Sequence, residues 1–320
     1  MSCTQQNDEA RAIPVVLITG FLGSGKTSCL RHLMHRQAGR RFVYLVNDFS
    51  TLDVDAQLLS EGGDDVVSIP GGSIFCRCLV TTFIGALRNI AEACDTEGVP
   101  IEGVVIEASG MADPRVVGDL LRDTGLAARF QLAGVIGVVD PGSFHKLLQT
   151  LPAVRAQIEA ADLVLLNKID LHNEAMLLRT EEALRVLQPG LPILRCTHAD
   201  VVIQPFSGAR RGPRVPGELA PRRDPDYLAA TVRFRPEQVY DPAAVLRNLE
   251  AQADMLLRVK GFVPSATGLV SVEWTLDGGT LASAPPGIRV GGLAIIARGG
   301  SDLRLDRLTR TLENPEENRK

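Results

Sequence analysis

A chain of 320 residues exceeds one small domain, and 45% hydrophobic with 22% charged residues is an ordinary globular balance with ample material for a core. A formal net charge of -4 excludes the broadly basic surface on which non-specific nucleic-acid binding depends, and no apolar run approaches the roughly 20 residues of a membrane-spanning helix. The polar start (MSCTQQNDEARAI) has no apolar signal stretch, so the chain reads as cytoplasmic, with its six cysteines as thiols or metal ligands rather than disulfides.

In chain order, short runs rich in Val, Ile and Leu without polar alternation fall at 15–19, 42–46, 104–106, 135–139, 163–166 and 193–194. That pattern marks strands buried on both faces of a parallel sheet. Amphipathic segments at 27–37, 79–93, 153–161 and 174–187 read as helices between them. The alternation predicts an α/β fold, a doubly wound and mostly parallel sheet of the P-loop NTPase kind, over residues 1–204.

The first strand runs into Gly20-Phe21-Leu22-Gly23-Ser24-Gly25-Lys26-Thr27, which fits G-x-x-x-x-G-K-[ST], and a helix-compatible segment beginning with Ser28 follows. Glycines let such a loop curl so that several N–H groups point at phosphate oxygens, and the helix adds its positive end. Lys26 reaches the β- and γ-phosphates, and the Thr27 hydroxyl is a magnesium ligand.

Asp48 follows the second strand, in an acidic segment with Asp53 and Asp55, any one of which completes a magnesium shell or stands as a solvated carboxylate. Further on, Cys76-Arg77-Cys78 precedes the 79–93 helix. Two thiolates one residue apart are too few for zinc, which takes four ligands. A further ligand would come from His198, a switch carboxylate or a second subunit. The alternative is that both are small apolar residues at a helix start. Cys29 and Cys94 read as packing residues, and His145 and His172 as exposed.

Glu107-Ala108-Ser109-Gly110 ends the 104–106 strand. Glu107 holds magnesium through water or orients the attacking water, and Gly110 lets the backbone approach the γ-phosphate and move when it leaves. Asn167-Lys168-Ile169-Asp170 ends the 163–166 strand, at the sheet edge where ligands bind in open α/β folds. Asp170 accepts from guanine N1–H and N2–H₂, donors that adenine does not offer in that arrangement. Asn167 contacts the base or ties its loop to the phosphate loop, and the Lys168 stem lies over the base plane. Cys196-Thr197 follows the next strand, a place from which a backbone N–H can approach the base.

Residues 205–226 hold five prolines and five arginines with no apolar periodicity and read as a linker or long loop. Beyond it, 227–320 reads as a smaller α+β domain. Strands are expected at 227–234, 256–263, 269–275 and 293–297, with one helix opened by Asp241-Pro242 and another beginning at Ser301.

Together these residues resemble the CobW-type (SIMIBI-like) GTPases, in GFLGSGKT, VNDFSTLDVD, IPGGSIFCRC, VVIEASGMADP, GVVDPGSF, ADLVLLNKIDL and, in the second domain, LLRVKGF. The resemblance implies GTP binding and hydrolysis with magnesium, and handling of zinc, cobalt or nickel for a client metalloprotein, with client contacts on the carboxy-terminal domain. The departures are specific. Where the family reads Cys-x-Cys-Cys this chain has Ser73, Phe75 and Cys76, and an added Cys78. Asp48 stands for the usual glutamate and Ser50 for a glycine. These departures leave open a GTPase chaperone, for a cobalamin- or metal-dependent enzyme, that carries no metal itself.

Overall fold

The computed structural model describes residues 12–47, 65–69, 73–75, 79–97, 101–206, 227–235, 237–276, 278–285 and 291–314. Asp48, Ser50, Asp53, Asp55, Cys76, Arg77 and Cys78, and residues 207–226, lie outside the described residues.

Seven strands form one fully parallel sheet: β1 (Ile13–Thr19), β2 (Phe42–Val46), β3 (Asp65–Ser68), β4 (Gly103–Glu107), β5 (Phe130–Val139), β6 (Leu163–Leu166) and β7 (Ile193–Arg195). Their order is β3-β2-β4-β1-β5-β6-β7. The chain leaves β1 toward one edge, returns through β4, and then builds outward from β5. The carboxyl ends of β1, β4, β5 and β6 therefore flank the switch point where open α/β sheets bind ligands. Among the described residues, helices α1 (Lys26–Arg36), α2 (Val80–Glu97), α3 (Val116–Asp123), α4 (Pro141–Thr150), α5 (Pro152–Ala160) and α6 (Glu174–Leu187) belong to this unit.

The parallel strands are hydrophobic because both faces are covered. Val15 and Leu17 pack with Phe83, Leu87 and Val117, whereas Val16 and Ile18 pack with Leu30 and Leu33 of α1. The two sets alternate along one strand, as a period of two requires. Phe206, in the segment read as linker, packs on Phe42 with ring centroids 4.9 Å apart, so the packing of this unit runs on through that residue.

Four described elements of this unit escape the sequence pattern in whole or in part. β5 begins five residues earlier than expected, because the exposed Gln131 and the small, buried Gly134 break the apolar run. β3 is a four-residue edge strand. In α3 only Val116, Val117, Leu120 and Leu121 face inward. α4 carries the same Asp-Pro start as the Asp241 helix: Asp140 caps it by accepting from Gly142 N, with Pro141 in the first turn.

The second unit is an antiparallel sheet ordered β11-β10-β9-β12-β8 from β8 (Tyr227–Arg233), β9 (Leu256–Ser265), β10 (Gly268–Thr275), β11 (Gly278–Ser283) and β12 (Gly292–Arg298). Edge strand β11 is exposed and has no apolar pattern, so only its pairing with β10 defines it. One sheet face (Val259, Val263, Val272, Trp274, Leu293, Ile295) packs on α7 (Pro242–Glu250) and α8 (Asp302–Glu313) through Val245, Leu249, Leu305 and Leu308. The opposite face turns to the first unit, where Leu257 and Ile296 join Phe21, Met111 and Val139 in a shared apolar cluster. No described helix is long and apolar enough to cross a membrane.

Candidate functional site

The loop between β1 and α1 is built by glycines at positive φ. Gly20 (φ +140°) passes so close to β5 that a Cβ there would stand 2.2 Å from the Val138 carbonyl oxygen. Gly25 (φ +109°) would place one 2.3 Å from Asn167 Nδ2. Side chains are excluded at both points by backbone conformation and by space. α1 starts at Lys26 after Gly25, with no side chain capping its first N–H groups, which leaves a helix start of the kind that suits an anion. Lys26 Nζ donates to the Phe21 carbonyl oxygen at 3.1 Å, across the ring of the loop.

Asn167 ties the second motif to this loop. Its Nδ2 donates to the Ser24 carbonyl oxygen at 2.8 Å, and its Oδ1 accepts from Ala199 N at 2.7 Å. The phosphate-loop residues from Leu22 to Thr27 and the Asn167-Lys168 end of the second motif thus share one cleft, about 610 Å³ in volume. Gly23, Gly25, Lys26, Thr27, Ser28, Glu107, Gly110, Asn167 and Lys168 all line it. Gly20 sits beneath the loop, and Ser24 contributes its backbone, its side chain being buried behind. Asp170 is exposed on the short 3₁₀ turn Ile169–Leu171, just past Lys168, rather than in the cleft wall.

Thr27 Oγ1 donates to Glu107 Oε1 at 2.9 Å. Two hard oxygen donors side by side at the sheet's carboxyl edge are suited to a small divalent cation such as magnesium. The adjoining turn presses on the phosphate loop: a Cβ on Gly110 would come within 2.5 Å of the Leu22 side chain and 2.7 Å of Leu22 N.

Three residues that hold the site were not singled out from sequence. Asn47, buried at the end of β2, donates to the Ile69 carbonyl oxygen at 3.0 Å and accepts from Ile74 N at 2.9 Å and Ser109 N at 3.2 Å. It joins the turn after Glu107 to the segment that leads toward Cys76. Gln157 Nε2 donates to the Gly110 and Ala112 carbonyl oxygens. Asp140, buried, accepts from Lys168 Nζ at 2.7 Å and contacts His172 Nε2 at 3.2 Å, fixing a lysine whose own φ is +60°. An Asp-Pro helix start was the available signal for Asp140. Asn47 and Gln157 offered none, since each acts on backbone far away in sequence.

His172 is therefore half-buried against Asp140, and His145 is half-buried beside Thr180 (3.2 Å); neither is exposed as expected. Burial, with Arg179 adding, holds His145 below the usual imidazole range. Cys29 and Cys94 do pack, Cys29 in the core beneath α1 and Cys94, on α2, against the core cluster that includes Phe83 and Leu87. Burial pushes the Cys29 thiol up to about 12, Glu107 adding to it, and the Cys196 thiol up to about 11. Cys196 Sγ instead faces the Leu166 carbonyl oxygen and Asn167 Oδ1, both at 3.7 Å. Ser73 and Phe75 are buried, and Phe75 meets Phe83 edge to face at 5.8 Å. Among the described residues no three His, Cys, Asp or Glu gather as a metal cluster.

Residues 14–195 match the family model described as CobW/HypB/UreG, nucleotide-binding domain. The zinc chaperone YjiA of Escherichia coli (strain K12) is 28% identical over 263 residues, covering 78% of this chain and 81% of that protein. The zinc chaperone YeiR of the same strain is 33% identical over 159 residues (48% of this chain and 46% of YeiR). The zinc-regulated GTPase metalloprotein activator 1 of Schizosaccharomyces pombe (strain 972 / ATCC 24843) is 28% identical over 192 residues (58% and 44%). The chain thus spans less than half the length of the last two. Among solved structures, Zn(II)-bound YjiA GTPase from E. coli aligns with 23% identity and a TM-score of 0.49 over 90% of this chain and 94% of that one.

Proposed function

Because the chain belongs to the CobW/HypB/UreG family, we propose that it is a GTP-binding switch that hydrolyses GTP slowly and uses the cycle to deliver a transition metal to a client metalloprotein in the cytoplasm. The observation that carries this reading is the Asn167–Ser24 hydrogen bond, which joins the base-side motif to the phosphate loop at one cleft.

In this reading Gly20 and Gly23 to Ser28 hold the phosphates with backbone N–H groups. The Lys26 ammonium exchanges the Phe21 carbonyl for β- and γ-phosphate oxygens. Asp170 selects guanine, and Lys168, steadied by Asp140, covers the base plane. Thr27 and Glu107 fit magnesium by donor chemistry and by adjacency. When bound, that ion offsets negative charge on the phosphates. Glu107 and Asp48 orient the attacking water. Gly110, packed on Leu22, senses whether the terminal phosphate is present. Turnover stays slow until a client or partner completes the site. We take residues 1–204 as the GTPase unit, 205–226 as the connection and 227–320 as the unit that meets the client.

The cargo site is assigned to Cys76 and Cys78, completed by His198, a switch carboxylate or a second copy of the chain. Zinc is the first candidate, since the relatives YjiA and YeiR are zinc chaperones; cobalt or nickel would use the same thiolates. One observation favours a second reading, in which the GTPase acts on its client without carrying metal: position 75 is a core phenylalanine, not a ligand. Metal analysis of the purified protein beside Cys76→Ser and Cys78→Ser distinguishes them. Stoichiometric zinc, cobalt or nickel lost in both variants supports carriage. Tight binding retained in both places the site elsewhere. Lys26→Ala should abolish GTP hydrolysis with the fold intact, and unchanged turnover would remove the phosphate-loop assignment.

A further inference from the structure

The cleft has a fourth wall that belongs to the second unit. Arg258, Lys260 and Phe262 of β9, Ser271, Glu273 and Thr275 of β10, and Ala294 and Ile296 of β12 all face it. They form one side of the sheet, because Glu273 pairs with Lys260 and Ile296 with Arg258. Arg258 is placed by both neighbours. Ile296 is seated in the apolar cluster with Phe21 and Met111. Thr275, one step past the Trp274–Val259 pair, lies against the phosphate loop, its γ-methyl 3.3 Å from where a Gly23 Cβ would be.

The loop's two ends have different surroundings. Gly25 meets Asn167 of the base-side motif, whereas Gly23 meets Thr275, and Leu22 meets Gly110. Arg258 is thus on the Gly23 side, away from the base. Its side chain is only 16% exposed, and its guanidinium holds Glu273 at 3.5 Å, the outer limit of hydrogen bonding. A cation that is mostly withdrawn from water gains from a stronger anionic partner.

We infer that Arg258 is a ligand, supplied by the second unit, for the terminal phosphate of a nucleoside triphosphate, and that Glu273 holds it when that phosphate is absent. This rests on the reading of the cleft as a nucleotide site. It makes the antiparallel sheet itself the element that distinguishes triphosphate from diphosphate. Two charge-assisted bonds to phosphate outcompete one long contact to a half-exposed carboxylate. Shared with Glu273, the guanidinium discriminates between nucleotides without committing its whole charge to hydrolysis.

The test is binding of a non-hydrolysable GTP analogue with a β,γ-imido bridge, and of GDP, to the full chain with magnesium. Arg258→Ala should weaken the analogue at least about tenfold and leave GDP within about twofold, through the loss of its charge-assisted bonds to the terminal phosphate. Glu273→Gln should shift the analogue the other way, about twofold tighter, by releasing the guanidinium. If the pair is only a structural brace, both variants move the analogue in the same direction or not at all, and the inference fails. Equal weakening of analogue and GDP by Arg258→Ala also overturns it. Fluorescence of Trp274, the single tryptophan, buried on the opposite face of the same sheet, reports whether each variant keeps its fold. A wild-type protein that binds neither nucleotide would end the site reading itself, a separate outcome from any of these.

Discussion

Asn167 donates from Nδ2 to the Ser24 carbonyl oxygen at 2.8 Å, bridging 143 positions of sequence, while its Oδ1 takes the Ala199 N–H at 2.7 Å. One buried amide thereby fixes the phosphate loop, the base-side loop and the turn after β7 relative to one another. Removing it leaves two backbone groups unsatisfied, each costing about 1–3 kcal/mol when buried. Asn167→Ala is expected to lower the melting temperature by several degrees and to weaken GTP at least about tenfold. Calorimetric titration and a thermal melt check both, and wild-type GTP affinity in this variant would show that the amide positions nothing that the ligand needs.

Asp140 separates two roles in one carboxylate. It caps α4 through Gly142 N and holds Lys168 Nζ at 2.7 Å. Asp140→Asn keeps an acceptor for the cap but gives up the charge that Lys168 meets. It should weaken guanine nucleotides about tenfold with little change in stability, whereas Asp140→Ala adds roughly 1 kcal/mol for the lost cap. Equal melting temperatures for the two variants would contradict the capping role, and unchanged affinity in both would contradict the positioning role.

The buried thiols yield a pH prediction. A thiol reacts as its thiolate, and burial raises Cys29 to about 12 and Cys196 to about 11. Raising an acid's pKa lowers its charged fraction at a given pH, so at pH 8 both are almost wholly protonated. Alkylation of the native protein with iodoacetamide at pH 8 should leave the peptides bearing Cys29 and Cys196 unmodified, and denaturation should expose them. Native labelling of Cys29 at the rate of a free thiol would show that the α1 core opens readily.

Much of the first unit was readable because strands buried on both faces must be apolar throughout, as Val15 to Ile18 are. β11 was not, since an exposed edge such as Gly278–Ser283 carries no pattern until β10 pairs with it. The phosphate loop was legible from its glycines, two of which lie where any side chain would strike Val138 or Asn167. Asn47 was not legible: an asparagine after a strand is unremarkable in sequence, and its role comes from Ile69, Ile74 and Ser109 converging on it. The alternation in β9 announces two unlike faces. Only the packing of Ile296 and Thr275 on the first unit determines that the face with Arg258 turns to the cleft.

The central claim is that the segments 20–27 and 167–170 bind one guanosine phosphate. Competition of GTP against ATP for the wild-type protein, repeated with Asp170→Ala and Lys26→Ala, tests it most directly. The account predicts a GTP preference of at least about 10²-fold in the wild type, lost in Asp170→Ala with ATP affinity unchanged, and loss of both nucleotides in Lys26→Ala. Equal affinity of the wild-type protein for GTP and ATP would contradict it.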